Sequence, residues 1–487
     1  MTLQHDPDGT RLPVKLDTTS NGEFVPVPLA PEHHHANHLA LATATENARR
    51  LAMDRRSFLT SACGVAGSLL GMNQAYAARG ERGGFFELDK SASLDLVAAR
   101  SAVDGNEFIF DVQGHFVNPT GAWTKRLALT ARPLRMPKTE MCGASKGTGD
   151  LDYLKCIGQD EFIKDVFLDS DTDLMVLSFV PSTRQNEPLT IEEAQATARI
   201  VEKLDGTHRL YIHGRVNPNS PGDLEAMDEL ASRHKISAFK TYTQWGPDGK
   251  GFYLDDDVGI AFIEKAQKLG VRNIAIHKGL AFGQKSYEHS TCVDVGRVAK
   301  RFPRMNFLIY HSGFVTDKAE GPYDEKRIDG IDALVTSLIK NGIQPGGNVY
   351  AELGSTWRFM MRDPDSAAHG LGKVLKYCGE NNVLWGTDSI WYGSPQDQIQ
   401  AFRTFQISAA LRDKYGYPQM TPALRAKVFG FNALKIYPVP DEVLKQHVKS
   451  DKVARERREY RENPNPTFVT YGPRTRREFL NLKTWES

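Results

Sequence analysis

The sequence has no uninterrupted apolar run of the roughly 18 to 20 residues that a spanning helix needs, so no integral membrane segment is expected in the mature chain. It has almost no net charge. The 61 Lys+Arg against 60 Asp+Glu leave +1, which excludes a partner held mainly by polyanion attraction. Cysteine is scarce: five in 487 residues, at 63, 142, 156, 292 and 378, with no CxxC pair and an odd one over. A disulfide scaffold and a Cys-rich zinc module are thereby excluded, and Cys142 and Cys156 are read as thiols. With 40% hydrophobic and 25% charged residues, the composition also excludes a disordered chain. What remains at this length is one large enzyme domain with extensions, or two to three smaller domains.

One short apolar stretch stands out between Phe58 and Leu70. It follows Arg55-Arg56-Ser57, runs through small and apolar residues, and closes on Ala75-Tyr76-Ala77, an A-x-A pattern. In that order these features resemble a twin-arginine export signal. The resemblance implies the twin-arginine export machinery as a partner, passage of an already folded chain, and a periplasmic or extracellular location. The other reading is a buried core helix that follows two arginines. Residues 1–52 are then an N-terminal extension and residues 53–77 the signal segment, with Met53 as an alternative start. The cluster His33, His34, His35 and His38 lies in a loop-like part of the extension and is assigned no role.

From Phe108 onward, short runs rich in β-branched and aromatic residues alternate with amphipathic stretches. Eight runs are present, at 108–115, 173–182, 209–218, 236–243, 273–279, 306–313, 349–356 and 383–393. Their near-continuous apolar character fits parallel strands covered on both faces. The intervening segments, such as DVGIAFIEKAQKLG and IDALVTSLIKNG, repeat apolar residues three and four apart, as helices do. The pattern predicts a (β/α)8 TIM barrel over residues 78–440, with an insertion after strand 1 that shapes the mouth and a charged C-terminal arm at 441–487. An open doubly wound sheet is disfavoured, because no Gly-rich phosphate turn follows the first run.

Polar residues fall at the same end of nearly every run. In such a barrel the C-terminal strand ends converge on one mouth, whatever their separation in sequence. Gln113 and His115 end the first run and point to one face. Lys240 lies in the fourth, His277 in the fifth, His311 in the sixth and Asp388 in the eighth. Imidazoles and a carboxylate at strand ends form a donor set for one divalent ion of zinc type, with a position left for water. Arg215 and Arg358 are candidate carboxylate clamps. Trp357, with Trp123, Trp245 and Trp391, is a candidate wall of a substrate pocket.

With WGTDS at 385–389, YHSG at 310–313 and the closing segment TPALRAKVFGFNALKIY, this constellation resembles the amidohydrolase superfamily. More narrowly, it is similar to the amidohydrolase-related branch that includes aminocarboxymuconate-semialdehyde decarboxylase. The resemblance implies that His115, His277 and Asp388 hold the metal, while His311 orients water or substrate and moves protons. Gln113 departs from the family pattern: an amide oxygen is a poorer ligand than imidazole. Lys240 stands where binuclear members carry a modified, bridging lysine, but a mononuclear site is preferred here, with Lys240 contacting substrate or a buried acid.

The function expected first is hydrolysis of a small ester, lactone or amide through metal-activated water, with Asp388 passing the proton. The alternative is non-oxidative decarboxylation of a small aromatic or unsaturated acid. A second alternative is an exported, non-catalytic barrel that has lost its metal through Gln113. The arm carries basic residues interleaved with acidic ones and no aromatic platform, so nucleic acid is not expected as a partner. It is read as embracing the barrel or a second subunit in a homo-oligomer.

Overall fold

The computed structural model describes residues 6, 8–80, 83–126, 152–205, 208–281, 284–446, 449–466, 468, 470 and 472–483. A short strand β1 (Gly84–Phe86) precedes the main sheet. That sheet has eight parallel strands in chain order: β2 (Phe110–Gly114), β3 (Leu174–Leu177), β4 (Leu210–Arg215), β5 (Ala238–Tyr242), β6 (Asn273–His277), β7 (Asn306–Tyr310), β8 (Val349–Glu352) and β9 (Val383–Leu384). Each of the eight predicted runs contains one of them. The last strand returns to the first. Val112 N–H donates to the Trp385 carbonyl at 2.9 Å, Asp388 N–H to Gln113 at 2.9 Å and Ile390 N–H to His115 at 3.1 Å. The result is the (β/α)8 TIM barrel.

Alternation along the strands decides what faces inward. Ala275 and His277 are two residues apart, as are Tyr350 and Glu352, so an apolar residue below places a polar one above it at the mouth. Phe110, Val112, Leu174, Val176, Leu308 and Leu384 pack in one buried cluster with Tyr437 of the closing segment. Between Asp111 and Gly114 the register of β2 against β3 shifts. An irregularity of this kind re-aims side chains, and across it the chain passes from Val112 in the cluster to Gln113 and His115 at the mouth. Helices cover the outside with one apolar face each: Asp257–Lys268 buries Phe262, Ile263 and Ala266. Phe262 and Ile263 each contribute about 1.5–3 kcal/mol. Helix Pro364–Tyr377 shows how an end is set, with Asp363 accepting from Asp365 N–H and Ser366 N–H and proline in the first turn.

Three helices stand ahead of the barrel: α1 (Pro31–Arg50), α2 (Arg55–Leu59) and α3 (Ala62–Ala78). α3 is the apolar run with its A-x-A end. It buries Cys63, Ala66, Leu69, Met72 and Tyr76, and Tyr76 donates to the Arg362 carbonyl at 2.5 Å. Asn73 of α3 bonds both the N–H and the carbonyl of Phe86, fastening α3 to β1, which pairs antiparallel with β10 (Phe405–Ile407). Arg56 is buried as well and donates to Asn465 at 2.7 Å. The segment thus has the packing of a core helix. His33 is buried and accepts from Ala30 N–H, while His34, His35 and His38 are exposed.

The arm wraps its own barrel, where helix Lys452–Glu462 sets Arg457 against the Phe167 carbonyl at 2.9 Å and Asp451 against buried Arg209 at 2.8 Å. Cys156 is disulfide-bonded, which corrects its reading as a thiol. Cys142 and most of the insertion after the first strand lie outside the described residues. No helix among the described residues is long and apolar enough to cross a membrane.

Asp171 joins arm, barrel and outer helices, accepting from Arg403 at 2.5 Å, from Gln396 at 3.0 Å and from Arg461 of the arm. Burial pushes its carboxyl up, but the two guanidinium groups outweigh burial and hold it well below the usual range. Removing one partner of a buried ion cluster leaves uncompensated charge, so Asp171→Asn is expected to cost about 3 kcal/mol in denaturant unfolding at pH 7. A depressed carboxylate stabilises above its unfolded pKa of about 3.9 and less so as pH falls toward its folded value. The gap between wild type and variant should therefore shrink below about pH 4.

Candidate active site

Three strand ends carry non-glycine residues in the left-handed region: His311 (φ 66°) and Ser312 (φ 52°) after β7, Ser355 (φ 52°) after β8 and Asp388 (φ 62°) after β9. Each such residue costs of order 1–3 kcal/mol, and such costs cluster where a side chain must be aimed. Local bonds hold the turns. Thr387 donates to Asp111, Ser312 donates to the Glu352 carbonyl at 2.7 Å, and Thr356 donates to the His311 carbonyl at 2.8 Å.

The side chains so aimed form two groups. In one, His115 Nε2 lies 3.0 Å from Asp388 Oδ1. In the other, His277 Nδ1 lies 3.1 Å from His311 Nε2 and 3.6 Å from Oε1 of Glu23, and candidate ligand atoms of all three fall within 4.8 Å of one another. Two amides join the groups. Gln113 Nε2 donates to Asp388 at 3.0 Å and lies 3.4 Å from both His115 and His311; Asn21 Nδ2 donates to Glu23 at 2.6 Å and to Asp388 at 3.0 Å. Gln113, His115, Lys240, His277, His311, Glu352 and Asp388 are all at most 1% exposed.

The donor set fits a cation. His115 Nδ1 donates to the Ser178 carbonyl at 3.1 Å, and His311 Nδ1 donates to the Gly354 carbonyl at 2.6 Å. A neutral imidazole with its Nδ1 proton so engaged presents a lone pair at Nε2, the state a metal ligand needs. That lone pair faces a carboxylate oxygen in His115 and a second imidazole in His311, contacts that need a proton or a cation between them. Gln113 Oε1, buried, has no hydrogen-bond partner among the described residues.

Burial dominates the electrostatics. It draws Lys240 down to about 7 against the attraction of Glu23, Glu352 and Asp388, and His311 down to about 4, with His277 also well below its usual value. Burial pushes Glu352 up to about 8 although it accepts from His311 N–H at 3.0 Å and Gly354 N–H at 2.6 Å. In Asp388 burial is outweighed by a hydrogen bond with His115, the case in which a proton rather than a cation fills that contact, and its carboxyl is held below the ordinary value.

Of the residues picked out in the sequence, Gln113, His115, Lys240, His277, His311 and Asp388 meet at one mouth. Arg358 lies beside them, its guanidinium 4.1 Å above the Tyr392 ring, whose hydroxyl is 2.9 Å from Ser355. Two do not join. Arg215 is engaged by Glu187 at 2.6 Å and Asp223 at 2.9 Å. Trp357 turns into the core, donating to the Gln398 carbonyl at 2.8 Å and packing edge-on against Phe402 and Phe405. The indole at the site is Trp391, stacked on His115 at 5.4 Å. Glu352, Asn21 and Glu23 escaped sequence reading. The strand-end rule that found Asp388 also reaches Glu352, the last residue of β8; nothing local marks Asn21 or Glu23.

These features define a TIM-barrel protein with a buried polar, cation-type site at the C-terminal mouth. The family model for amidohydrolases matches residues 162–439, more than half of the chain, and the chain belongs to that family. A search of the curated proteins found no match. Among solved structures, the chain is similar to 5-carboxyvanillate decarboxylase from Sphingomonas paucimobilis (14% identity, 69% of this chain and 100% of that one, TM-score 0.43). It is also similar to a zinc-bound amidohydrolase from Burkholderia multivorans (14%, 68% and 100%, TM-score 0.40) and to 2,6-dihydroxybenzoate decarboxylase from Rhizobium (15%, 68% and 98%, TM-score 0.37).

Lys240 generates a test of the site's electrostatics. Its Nζ lies 3.8 Å above the Tyr310 ring and 4.7 Å from that of Tyr242, with no hydrogen-bond partner among the described residues. A lysine whose folded pKa lies below its unfolded value makes stability rise with pH between the two, here from about 7 to about 10. Lys240→Met is expected to raise stability at pH 7 by about 2 kcal/mol and to flatten that rise, as read by urea unfolding at pH 7 and pH 9.

Proposed function

We propose that this protein catalyses metal-dependent, non-oxidative decarboxylation of a small carboxylic acid. The observation that carries the reading is Lys240, a buried amine between the Tyr310 and Tyr242 rings whose Nζ has no hydrogen-bond partner among the described residues. A carboxylate substrate completes it. Arg358 supports the same reading, because two of its buried nitrogens also lack hydrogen-bond partners while the third group donates to Asp17 at 2.9 Å. Esters, lactones and amides carry no carboxylate to accept from the open N–H groups of Lys240 and Arg358, so hydrolysis, expected first from the sequence, is the weaker reading.

The expected metal ligands are His115, His277 and Asp388, with Gln113 beside them. A divalent ion of zinc type held there supplies polarisation of a substrate oxygen. Lys240 binds and orients the carboxylate. Trp391 and the buried mouth exclude water from the carbon that is to carry negative charge. A carboxylate brought beside Asp388 raises the proton affinity of Asp388 by like-charge repulsion, so the proton needed for the product resides on that residue when substrate is bound. The C–C bond breaks, carbon dioxide leaves, and the electron pair left on carbon takes the Asp388 proton, with Ser355 and Tyr392 behind Asp388 as its route of return.

Metal-loaded protein offered a panel of aromatic and unsaturated acids is expected to release carbon dioxide, with Asp388→Asn lowering kcat by about 10²-fold or more and Lys240→Gln raising KM. Turnover of esters or lactones with no carbon dioxide from any acid would return the function to hydrolysis.

Export is a separate proposal, carried by the order of Arg55-Arg56, apolar run and A-x-A residues. Cleavage after Ala77 would strip buried Ala66, Leu69 and Met72 from the core, so the chain is proposed to travel folded with α1 to α3 retained. Intact mass of protein from the envelope fraction is expected to include the residues ahead of 78; a chain starting near Arg79 would contradict it.

A further inference from the structure

Residues 12–24, ahead of the first helix, run without helix or strand to the barrel mouth. Contacts with distant parts of the chain fix this strap: Lys15 pairs with Asp397 at 3.0 Å, Asp17 accepts from Arg358 at 2.9 Å and from Thr470 of the arm at 2.9 Å, and Phe24 meets Phe359 edge-on at 4.7 Å. Val14, Thr19, Ser20 and Phe24 are buried. Packing therefore delivers the two residues that end the strap, Asn21 and Glu23, to one place at the mouth.

That place is beside the imidazoles. Glu23 is 5% exposed, its Oε1 faces His277 Nδ1 at 3.6 Å, and its Oε2 accepts from Asn21, which also holds Asp388. Among the described residues, Glu23, His277 and His311 are the trio whose ligand atoms converge within 4.8 Å. His311 is held with its Nε2 lone pair toward the trio by the bond from Nδ1 to Gly354. Beside His311 the first strand offers Gln113, whose amide oxygen is a neutral donor.

We infer that Glu23 is a metal ligand of the active site, supplied by the N-terminal strap from outside the barrel and adding a carboxylate to the strand-end donors on the His277 and His311 side of the mouth. The inference rests on the metal-dependent reading above. Barrel and extension are then one functional unit, and the strap positions Glu23 rather than merely covering the mouth.

The test uses the full-length chain, stripped with chelator and titrated with Zn²⁺ and with Co²⁺, the latter for its visible ligand-field spectrum. Wild type is expected to take up a stoichiometric ion. Glu23→Gln is expected to weaken binding by about 100-fold or more and, at saturating Co²⁺, to change the position or intensity of the bands. Asn21→Ala keeps the carboxylate and removes the amide that braces Glu23 together with Asp388, and is expected to weaken binding about tenfold with the wild-type spectrum retained. Equal affinity and an identical Co²⁺ spectrum in wild type and Glu23→Gln would overturn the inference and leave the metal-dependent reading standing. Wild type that takes up neither ion would overturn both. Should Glu23→Gln fail to fold, Asn21→Ala decides: affinity equal to wild type counts against the strap.

Discussion

The hydrogen bonds that close the barrel are the constraint on which the site depends. Asp388 N–H donates to the Gln113 carbonyl and Ile390 N–H to that of His115, so the first and last strands, nearly 275 residues apart along the chain, meet at the level of their functional side chains. Without that seam the 3.0 Å approach of His115 to Asp388 has no support, because each residue sits just past the regular part of its strand. The left-handed conformations at His311, Ser355 and Asp388 belong to the same economy of position: the parallel sheet, buried on both faces, outweighs the local strain and holds the side chains inward.

Burial at this mouth has a chemical meaning. Nε2 of His115 faces a carboxylate and that of His311 a second imidazole, a lysine amine lies between aromatic rings, and three carboxylates, Glu23, Glu352 and Asp388, share the space with almost no access to water. Such an assembly is poorly satisfied by its own members. In a folded protein that imbalance is tolerated where a ligand corrects it, and the two deficits differ in kind: the acceptors call for a cation and Lys240 for an anion. A metal ion and a carboxylate substrate answer both at once.

The barrel and most of its mouth were legible in the sequence because both rest on short-range rules. Eight apolar runs at regular spacing announce parallel strands, and polar residues at one end of each announce convergence. Arg215 and Trp357 were misplaced for a related reason: sequence gives nearness to a strand end, while the direction of a side chain depends on partners such as Glu187 or Phe402 that lie elsewhere in the chain. The disulfide at Cys156 was illegible without distances. The apolar run of α3 carries one composition for two fates, a targeting segment or a core helix. Asn21 and Glu23 lie in a polar, proline-containing stretch with no periodicity, and only the packing of Phe24, Asp17 and Lys15 against remote parts of the fold brings them to the mouth.

The central claim is that one cation is held at the mouth by side chains from the strand ends and from the strap together. Anomalous diffraction at the metal edge from crystals of Zn²⁺-loaded protein addresses it most directly. The account predicts one strong peak at the mouth, within roughly 2.0–2.2 Å of a His277 nitrogen and a Glu23 oxygen. A peak bound only by residues outside this cluster, or none at all with Glu23 turned into solvent, would contradict it.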